Sequence, residues 1–309
     1  AGERHKKRCL RMEDAEDIYK GFSNIIWNGI YREYLGSSVQ AAIDSYTPVL
    51  ITGEVGTGKT ELTQYIYCHS QHKKAPLITI DCKELTRKSW NTLINNDKNP
   101  FHDVGYSILF DDISCLHPSL QRELNDYIEG TNMARRHRLY ATSSVDLAHL
   151  VKNNQFSLPL YRSFCGFTIN LKPLALTPEL ILPLAAEILE WISKKFSKDC
   201  GGFEDEAKVL LQEFPWPLNI IQLVAVLQQL VINSDGFIIT TELTKQVLDK
   251  ETPKEYVPST MFDLTKPLAE IEQDVIMYVL RESNMNHSLA AKRLGIGRST
   301  LWRKITNQQ

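Results

Sequence analysis

The stretch Gly53-Glu-Val-Gly-Thr-Gly-Lys-Thr60 constrains this chain more than any other. Three glycines ahead of a Lys-Thr pair let backbone N–H groups wrap a phosphate. An apolar run of strand composition, Val49-Leu-Ile-Thr52, precedes the loop, and an amphipathic helical pattern begins near Thr60. A strand–loop–helix unit sets the loop at a helix N-terminus, where the dipole adds to the N–H groups. Gly53, Glu54, Val55, Gly56, Thr57, Gly58, Lys59, Thr60 and Glu61 are therefore the candidate nucleotide-binding residues, for ATP or ADP. In such a loop the lysine, Lys59, reaches the β- and γ-phosphates, and the hydroxyl of Thr60 is a Mg²⁺ ligand.

Further apolar runs at 48–52, 77–82, 107–111, 138–142 and 167–171 alternate with polar or amphipathic stretches long enough for crossover helices. That alternation predicts an α/β fold with a parallel sheet covered on both faces. The run Tyr106-Ser-Ile-Leu-Phe-Asp-Asp112 ends in two carboxylates. Asp111 suits Mg²⁺ held through water, and Asp112 suits polarising an attacking water. Strands often end in turn-forming Asp, so this pair gains its weight from the loop that precedes it. From 173 to about 249 the strand pattern stops, and residues 179–196 and 219–232 carry apolar positions at helical spacing, as in a helical lid. A polar, proline-containing stretch at 250–266 reads as a linker.

The last segment, 267–309, is helical and locally basic. Leu268, Ile271, Val275 and Val279 share one helical face. Two short helices follow around the turn Gly295-Ile-Gly297, with Ala290-Ala291 small enough for close packing and Leu294, Ile296 and Leu301 as core. This is the helix-turn-helix design. The chain has 35 basic and 37 acidic residues, so any nucleic-acid contact needs a local patch. Lys292, Arg293, Arg298, Arg303 and Lys304 supply it. The second helix, 298–305, is the candidate recognition helix for double-stranded DNA. A different cluster, Arg135-Arg136-His137-Arg138, reads as a solvated turn.

Six scattered cysteines, Cys9, Cys68, Cys82, Cys115, Cys165 and Cys200, form no C-x-x-C pair or zinc spacing. They are expected as small buried hydrophobes in a cytoplasmic protein. No apolar run approaches the ~20 residues of a membrane span, so no membrane partner is expected. The chain opens on AGERHKKRCL, without Met or a signal-peptide core, as a piece downstream of a sensor would.

With both elements in place, the chain resembles the bacterial enhancer-binding proteins, the AAA+ activators that depend on sigma-54, from about Tyr31 to the C-terminus. The residues that carry the resemblance are Pro48-Val-Leu-Ile-Thr-Gly-Glu-Val-Gly-Thr-Gly-Lys59, Pro76-Leu-Ile-Thr-Ile-Asp-Cys82 and Leu109-Phe-Asp-Asp-Ile113 (similar to Walker B). Arg138-Leu-Tyr-Ala-Thr-Ser-Ser-Val-Asp-Leu147 is similar to the sensor I strand, and Phe214-Pro-Trp-Pro-Leu-Asn219 to the opening of sensor II. The C-terminal segment resembles the Fis-type helix-turn-helix. That resemblance implies Ser299, Thr300 and Arg303 near base edges, Lys292, Arg298 and Lys304 on phosphates, and a helix at 268–280 that pairs two chains.

The departures fall on hydrolysis and on the polymerase contact. The family's Gly-Ala-Phe-Thr-Gly-Ala loop has no counterpart in 83–105. Asp112 stands for the Walker B Glu and Ser144 for the sensor I Asn. Ser157 and Ser163 stand at the two arginine-finger positions, and Ile221 at the sensor II Arg. Arg162 lies one residue out of register and, with Asp112, is the candidate catalytic pair.

The expected layout is an N-terminal linker or sensor remnant (1–30), an AAA+ P-loop α/β subdomain (31–172), a helical lid (173–249), a linker (250–266) and an all-α helix-turn-helix domain (267–309). The expected function is a DNA-binding transcription regulator that binds ATP or ADP with Mg²⁺, with weak or absent hydrolysis and no secure sigma-54 contact. Its partners would be DNA, RNA polymerase and further copies of itself, as a dimer through the C-terminal helices or as an AAA+ ring. The alternative is an active ring-forming ATPase that remodels a sigma-54 RNA polymerase complex.

Overall fold

The computed structural model describes residues 10–13, 27, 30–74, 76–96, 99, 101–102, 105–251, 271–272, 275–277, 279–280, 283 and 286–306. The chain divides into two compact units, 1–251 and 252–309.

The first unit is built on a six-stranded sheet: β1 (Leu10–Glu13), β2 (Val49–Gly53), β3 (Leu77–Asp81), β4 (Ser107–Asp111), β5 (Arg138–Ser143) and β6 (Phe167–Leu171), in the order β1-β3-β4-β5-β2-β6. The five strands expected from the sequence are parallel, with registers such as Val49↔Tyr140 and Val49↔Phe167. A sixth was not legible. β1 pairs antiparallel with β3, Leu10 opposite Ile80, so part of the expected linker at 1–30 is a sheet edge. Its four residues, Leu-Arg-Met-Glu, are too short to show a period.

Successive residues of a strand point to opposite faces, and the core divides accordingly. Val49, Ile51, Leu77, Leu109, Tyr140 and Ile169 face one side. Leu50, Ile78, Ile80, Ile108, Phe110, Leu139 and Ala141 face the other. Both faces are covered, which is why these strands read as nearly continuous apolar runs. The first face continues without a break into the lid through Ile181, Leu184, Ile188, Leu223 and Leu227.

On the sheet lie α1 (Ile30–Asp44), α2 (Lys59–His69), α3 (Arg87–Ile94), α4 (Pro118–Gly130), α5 (Met133–Arg136), α6 (Leu147–Lys152) and α7 (Leu158–Phe164). The lid comprises α8 (Ile181–Phe196), α9 (Asp205–Glu213), α10 (Asn219–Asn233) and α11 (Thr241–Glu251). A short strand pair, Gly202–Phe203 with Ile238–Ile239, ties the ends of the lid helices together. Trp90 and Trp216 are buried packing anchors, and His117 caps α4 with Pro118 in its first turn. Trp191 is half-buried, with the Lys195 ammonium 4.7 Å from its ring centroid.

The basic run before β5 is not a solvated turn. His137 and Arg138 are buried, and the Arg138 guanidinium donates to the carbonyls of Ala42 (2.9 Å) and Thr47, closing the C-terminal end of α1. A cation at a helix C-terminus is favourably placed against the dipole. Among the cysteines, Cys68, Cys82 and Cys200 are buried, but Cys115 is exposed and Cys165 half-buried. Among the described residues no helix is long and apolar enough to cross a membrane.

In the second unit, α12 (His287–Leu294) and α13 (Arg298–Thr306) pack with helical residues at 271–272, 275–277 and 279–280. Ile276, Leu280, Ala290, Ala291 and Leu301 are its buried core, with Leu294, Ile296 and Val279 at the margin. The first segment therefore buries Ile276 and Leu280, whereas Ile271, Val275 and Val279 on the expected face are only half-buried. Leu268 lies outside the described residues. Asn286 caps α12 by accepting from the N–H groups of Ser288 and Leu289. Gly295, at φ +66°, ends it in the left-handed conformation that glycine adopts without strain.

Candidate functional site

The loop at 53–58 joins β2 to α2 where the strand order reverses, since β2 lies between β5 and β6 rather than beside β3. Open parallel sheets place ligands at such switch points. Gly56 shows why glycine is needed at this point of the loop. At φ +80°, a Cβ there would lie 2.0 Å from the Leu218 carbonyl oxygen.

Lys59, in the first turn of α2, is buried, and its ammonium donates to the carbonyls of Gly53 (2.8 Å) and Glu54 (2.7 Å). Burial pushes its pKa below the ordinary value, against the opposing pull of Asp112 and Asp111. Among the described residues Lys59 forms no ion pair. A buried cation bonded to carbonyls rather than to a carboxylate, beside a cradle built from glycine, fits the phosphates of a nucleotide. Burial also pushes the Glu61 carboxyl up.

The candidate Mg²⁺ ligands come together. The Thr60 hydroxyl donates to Asp111 Oδ1 at 3.1 Å. Thr142 of β5 donates to the same oxygen at 2.6 Å and accepts from the Asp112 N–H at 2.8 Å. Thr142 thus fixes both acids, a role that the sequence reading missed, having looked only at Ser144.

Asp112 sits at φ +52° just past the end of β4. Four donors converge on its carboxylate. Ser114 Oγ reaches Oδ1 at 2.7 Å, Ser144 N–H reaches Oδ1 at 3.1 Å, Ser144 Oγ reaches Oδ2 at 3.0 Å, and Lys83 Nζ lies 2.9 Å from Oδ2. Burial pushes this carboxyl up, but Lys83, Ser114 and Ser144 together override it and hold the pKa down at about 2. Lys83 was not among the residues singled out from the sequence; a lone Lys after a strand carries no signal.

Arg162 is exposed on α7 and is not brought to Asp112 within this chain. Ser157 caps α7 by accepting from the Leu160 N–H, and Ser163 donates to Asn125 and Pro159 oxygens. Ile221 is exposed in the first turn of α10, with its Cβ 3.6 Å from where a Gly56 side chain would start. The opening of α10 is fastened to the loop. The Ile220 N–H donates to Gly56 O (2.9 Å), and Asn219 Nδ2 donates to Val55 O (2.9 Å).

In the second unit, Arg298, Ser299, Trp302 and Arg303 form the exposed face of α13, while Thr300 and Lys304 are half-buried at its flank. Lys292 is exposed on α12. Lys304 is engaged by Glu272, Nζ to Oε2 2.7 Å. Trp302, 62% exposed on the same helix, was not among the residues singled out from the sequence.

Together these features define a nucleotide-type P-loop module of AAA+ architecture, with a helical lid and a separate helix-turn-helix unit. Residues 32–174 match the family described as the sigma-54 interaction domain, residues 178–260 the AAA+ ATPase lid domain, and residues 267–307 the Fis family of bacterial regulatory proteins. The chain therefore carries, in this order, a sigma-54 interaction domain, an AAA+ lid and a Fis-type helix-turn-helix.

The glycerol metabolism operon regulatory protein of Citrobacter freundii is 28% identical over 289 residues, 86% of this chain and 44% of that protein. The PTS-dependent dihydroxyacetone kinase operon regulatory protein of Escherichia coli is 29% identical over 285 residues, again 86% and 44%. The chain thus spans about half the length of these relatives. Among solved structures, NtrX from Brucella abortus in complex with ADP has the same fold, with a TM-score of 0.61 at 17% identity, covering 90% of this chain and 67% of that one.

Proposed function

We propose that this chain is a DNA-binding transcription regulator whose AAA+ module takes up ATP or ADP with Mg²⁺ and hydrolyses ATP weakly or not at all. The observation that carries the reading is Asp112. Its oxygens already accept four hydrogen bonds, one from an ammonium, and a carboxylate held at about 2 is a poor acceptor for a proton from water. The lid supports the same reading, since Ile221 offers no charge toward a phosphate. Arg162, exposed on α7, could act only on a neighbouring copy, and loss of an arginine finger costs ~10³–10⁵ in rate in related nucleotide hydrolases.

Nucleotide then acts as an assembly ligand. Lys59 and the N–H groups of the loop hold its phosphates. Thr60 and Asp111 hold Mg²⁺, which supplies charge neutralisation. That NtrX was crystallised with ADP and with ATP supports nucleotide uptake on this fold. DNA is bound through Arg298, Ser299 and Arg303, with Trp302 added to the groove-facing set and Lys292 on phosphates. The chain works as an oligomer near RNA polymerase, without the sigma-54 loop. The competing reading, an active ring-forming ATPase on a sigma-54 polymerase complex, is favoured by Thr60 and Asp111 already in contact.

Calorimetric titration with ADP and ATP, beside Lys59→Ala, tests the nucleotide half. The expected result is binding tighter than about 1 mM, a gain of ~4 kcal/mol, that Lys59→Ala abolishes. Equal heats for both proteins would overturn it. Anisotropy titration of a mixed-sequence duplex tests the DNA half, and no binding at low salt would overturn it.

A further inference from the structure

We infer that Asn219 is a positioning residue which, from the lid, holds the phosphate loop in its anion-binding form. The inference rests on the nucleotide-site reading above and goes beyond it in linking phosphate affinity to the seating of the lid.

A loop that wraps an anion with its N–H groups must turn the carbonyls of the same peptides outward. Glycine-rich backbone reverses its peptides at little cost, because glycine populates positive and negative φ about equally. Something must therefore hold the carbonyls out. Here two successive ones are held from the lid: Val55 O by Asn219 Nδ2 and Gly56 O by the Ile220 N–H, each at 2.9 Å.

Asn219 is itself fixed on every side. Its Oδ1 accepts from the Leu174 N–H at 2.8 Å, in the connection from β6 to the lid. Its own N–H donates to Trp216 O at 2.8 Å, and the Trp216 indole donates to Leu211 O at 2.8 Å. The residue is 1% exposed and sits at φ +52°, a conformation that Asn tolerates better than most side chains. One amide thus joins the loop, the entry to the lid and the start of α10. Moving the lid pulls on Val55 O, and releasing Val55 O frees the peptide to turn its carbonyl toward the phosphates.

Two substitutions separate this role from mere support. Asn219→Gly keeps the positive φ and removes both side-chain bonds. Asn219→Asp keeps the acceptor for Leu174 and the backbone conformation but cannot donate to Val55 O. Affinities for ADP and for inorganic pyrophosphate would be measured on the full chain, with circular dichroism as a check of folding.

The expected result is native spectra with affinity about tenfold weaker, equally for ADP and pyrophosphate because the loss falls on phosphate contacts. Parent-like affinity in both variants would overturn the inference, as would a loss for ADP with none for pyrophosphate. If the parent itself bound neither probe better than Lys59→Ala, the nucleotide-site reading would fall and this inference with it. Hydrogen exchange on the parent needs no variant: ADP should slow exchange at 218–220 together with 53–58. Unchanged exchange at 218–220 would also overturn the proposal.

Discussion

The ion pair between Lys304 and Glu272 changes what each basic residue of α13 should contribute to DNA binding. A cation that neutralises a phosphate releases condensed counterions, so log K falls against log salt with a slope of about −0.9 per contact. Between about 50 and about 200 mM salt, each contact therefore accounts for about a 3.5-fold loss of affinity. Arg298 and Arg303 are exposed on one face, so Arg298→Ala and Arg303→Ala should each flatten the slope by about 0.9. Lys304 is already paired at 2.7 Å, with side chains 33% and 52% exposed. Its charge is largely compensated before DNA arrives, and Lys304→Ala should flatten the slope by less than about half as much. Conversely, Glu272→Gln frees Lys304 and should steepen it by up to about 0.9. The assay is anisotropy of a labelled duplex titrated across a salt series. Equal slopes for Lys304→Ala and Arg303→Ala would refute the pairing argument. An unchanged slope in both arginine variants would refute the assignment of this face to DNA.

Three further substitutions test the first unit. The Asp112 carboxyl is held from its ordinary 3.8 down to about 2, which at ~1.36 kcal/mol per pH unit is about 2 kcal/mol of stability. Because the folded value is the lower one, this stabilisation is present above about pH 4 and lost as pH falls through about 2. Urea titrations should therefore show Asp112→Asn less stable than the parent at neutral pH, with the gap closing toward about pH 2; a pH-independent gap would contradict the donor set described. Arg138→Met removes two charge-assisted bonds from a residue 1% exposed and should cost about 3–4 kcal/mol in the same assay. Arg135→Ala, on an exposed neighbour, should stay within ~0.5 kcal/mol, and similar losses for the two would return the run to a solvated turn.

The parallel sheet and the loop were legible because both write themselves into short, contiguous stretches. Apolar runs mark strands covered on both faces, and the glycine spacing marks the cradle. What was not legible depends on pairs distant in sequence. Lys83 meets Asp112, Thr142 meets Asp111, and Asn219 meets Val55 across 164 positions. No local pattern distinguishes Lys83 or Thr142 from ordinary loop or strand members, and the motif that ends at Asn219 does not reveal what its side chain bonds. Arg138 misled for the complementary reason. The residues that precede it are polar, but as the first residue of β5 it enters the sheet, where the end of α1 supplies carbonyls. The expected face of the first C-terminal helix was off by one position, since Ile276 and Leu280 alternate with Val275 and Val279 in an apolar stretch that permits either stripe.

Whether this module is a nucleotide-gated regulator or an engine turns on ATP hydrolysis by the purified full chain. Turnover would be followed at high protein concentration, with Lys59→Ala as background. With Asp112 saturated by Lys83, Ser114 and Ser144, release of phosphate should not rise above that background while ATP remains bound. Turnover clearly above background, lost again in Arg162→Ala, would contradict this reading and establish a working motor completed by a neighbouring copy.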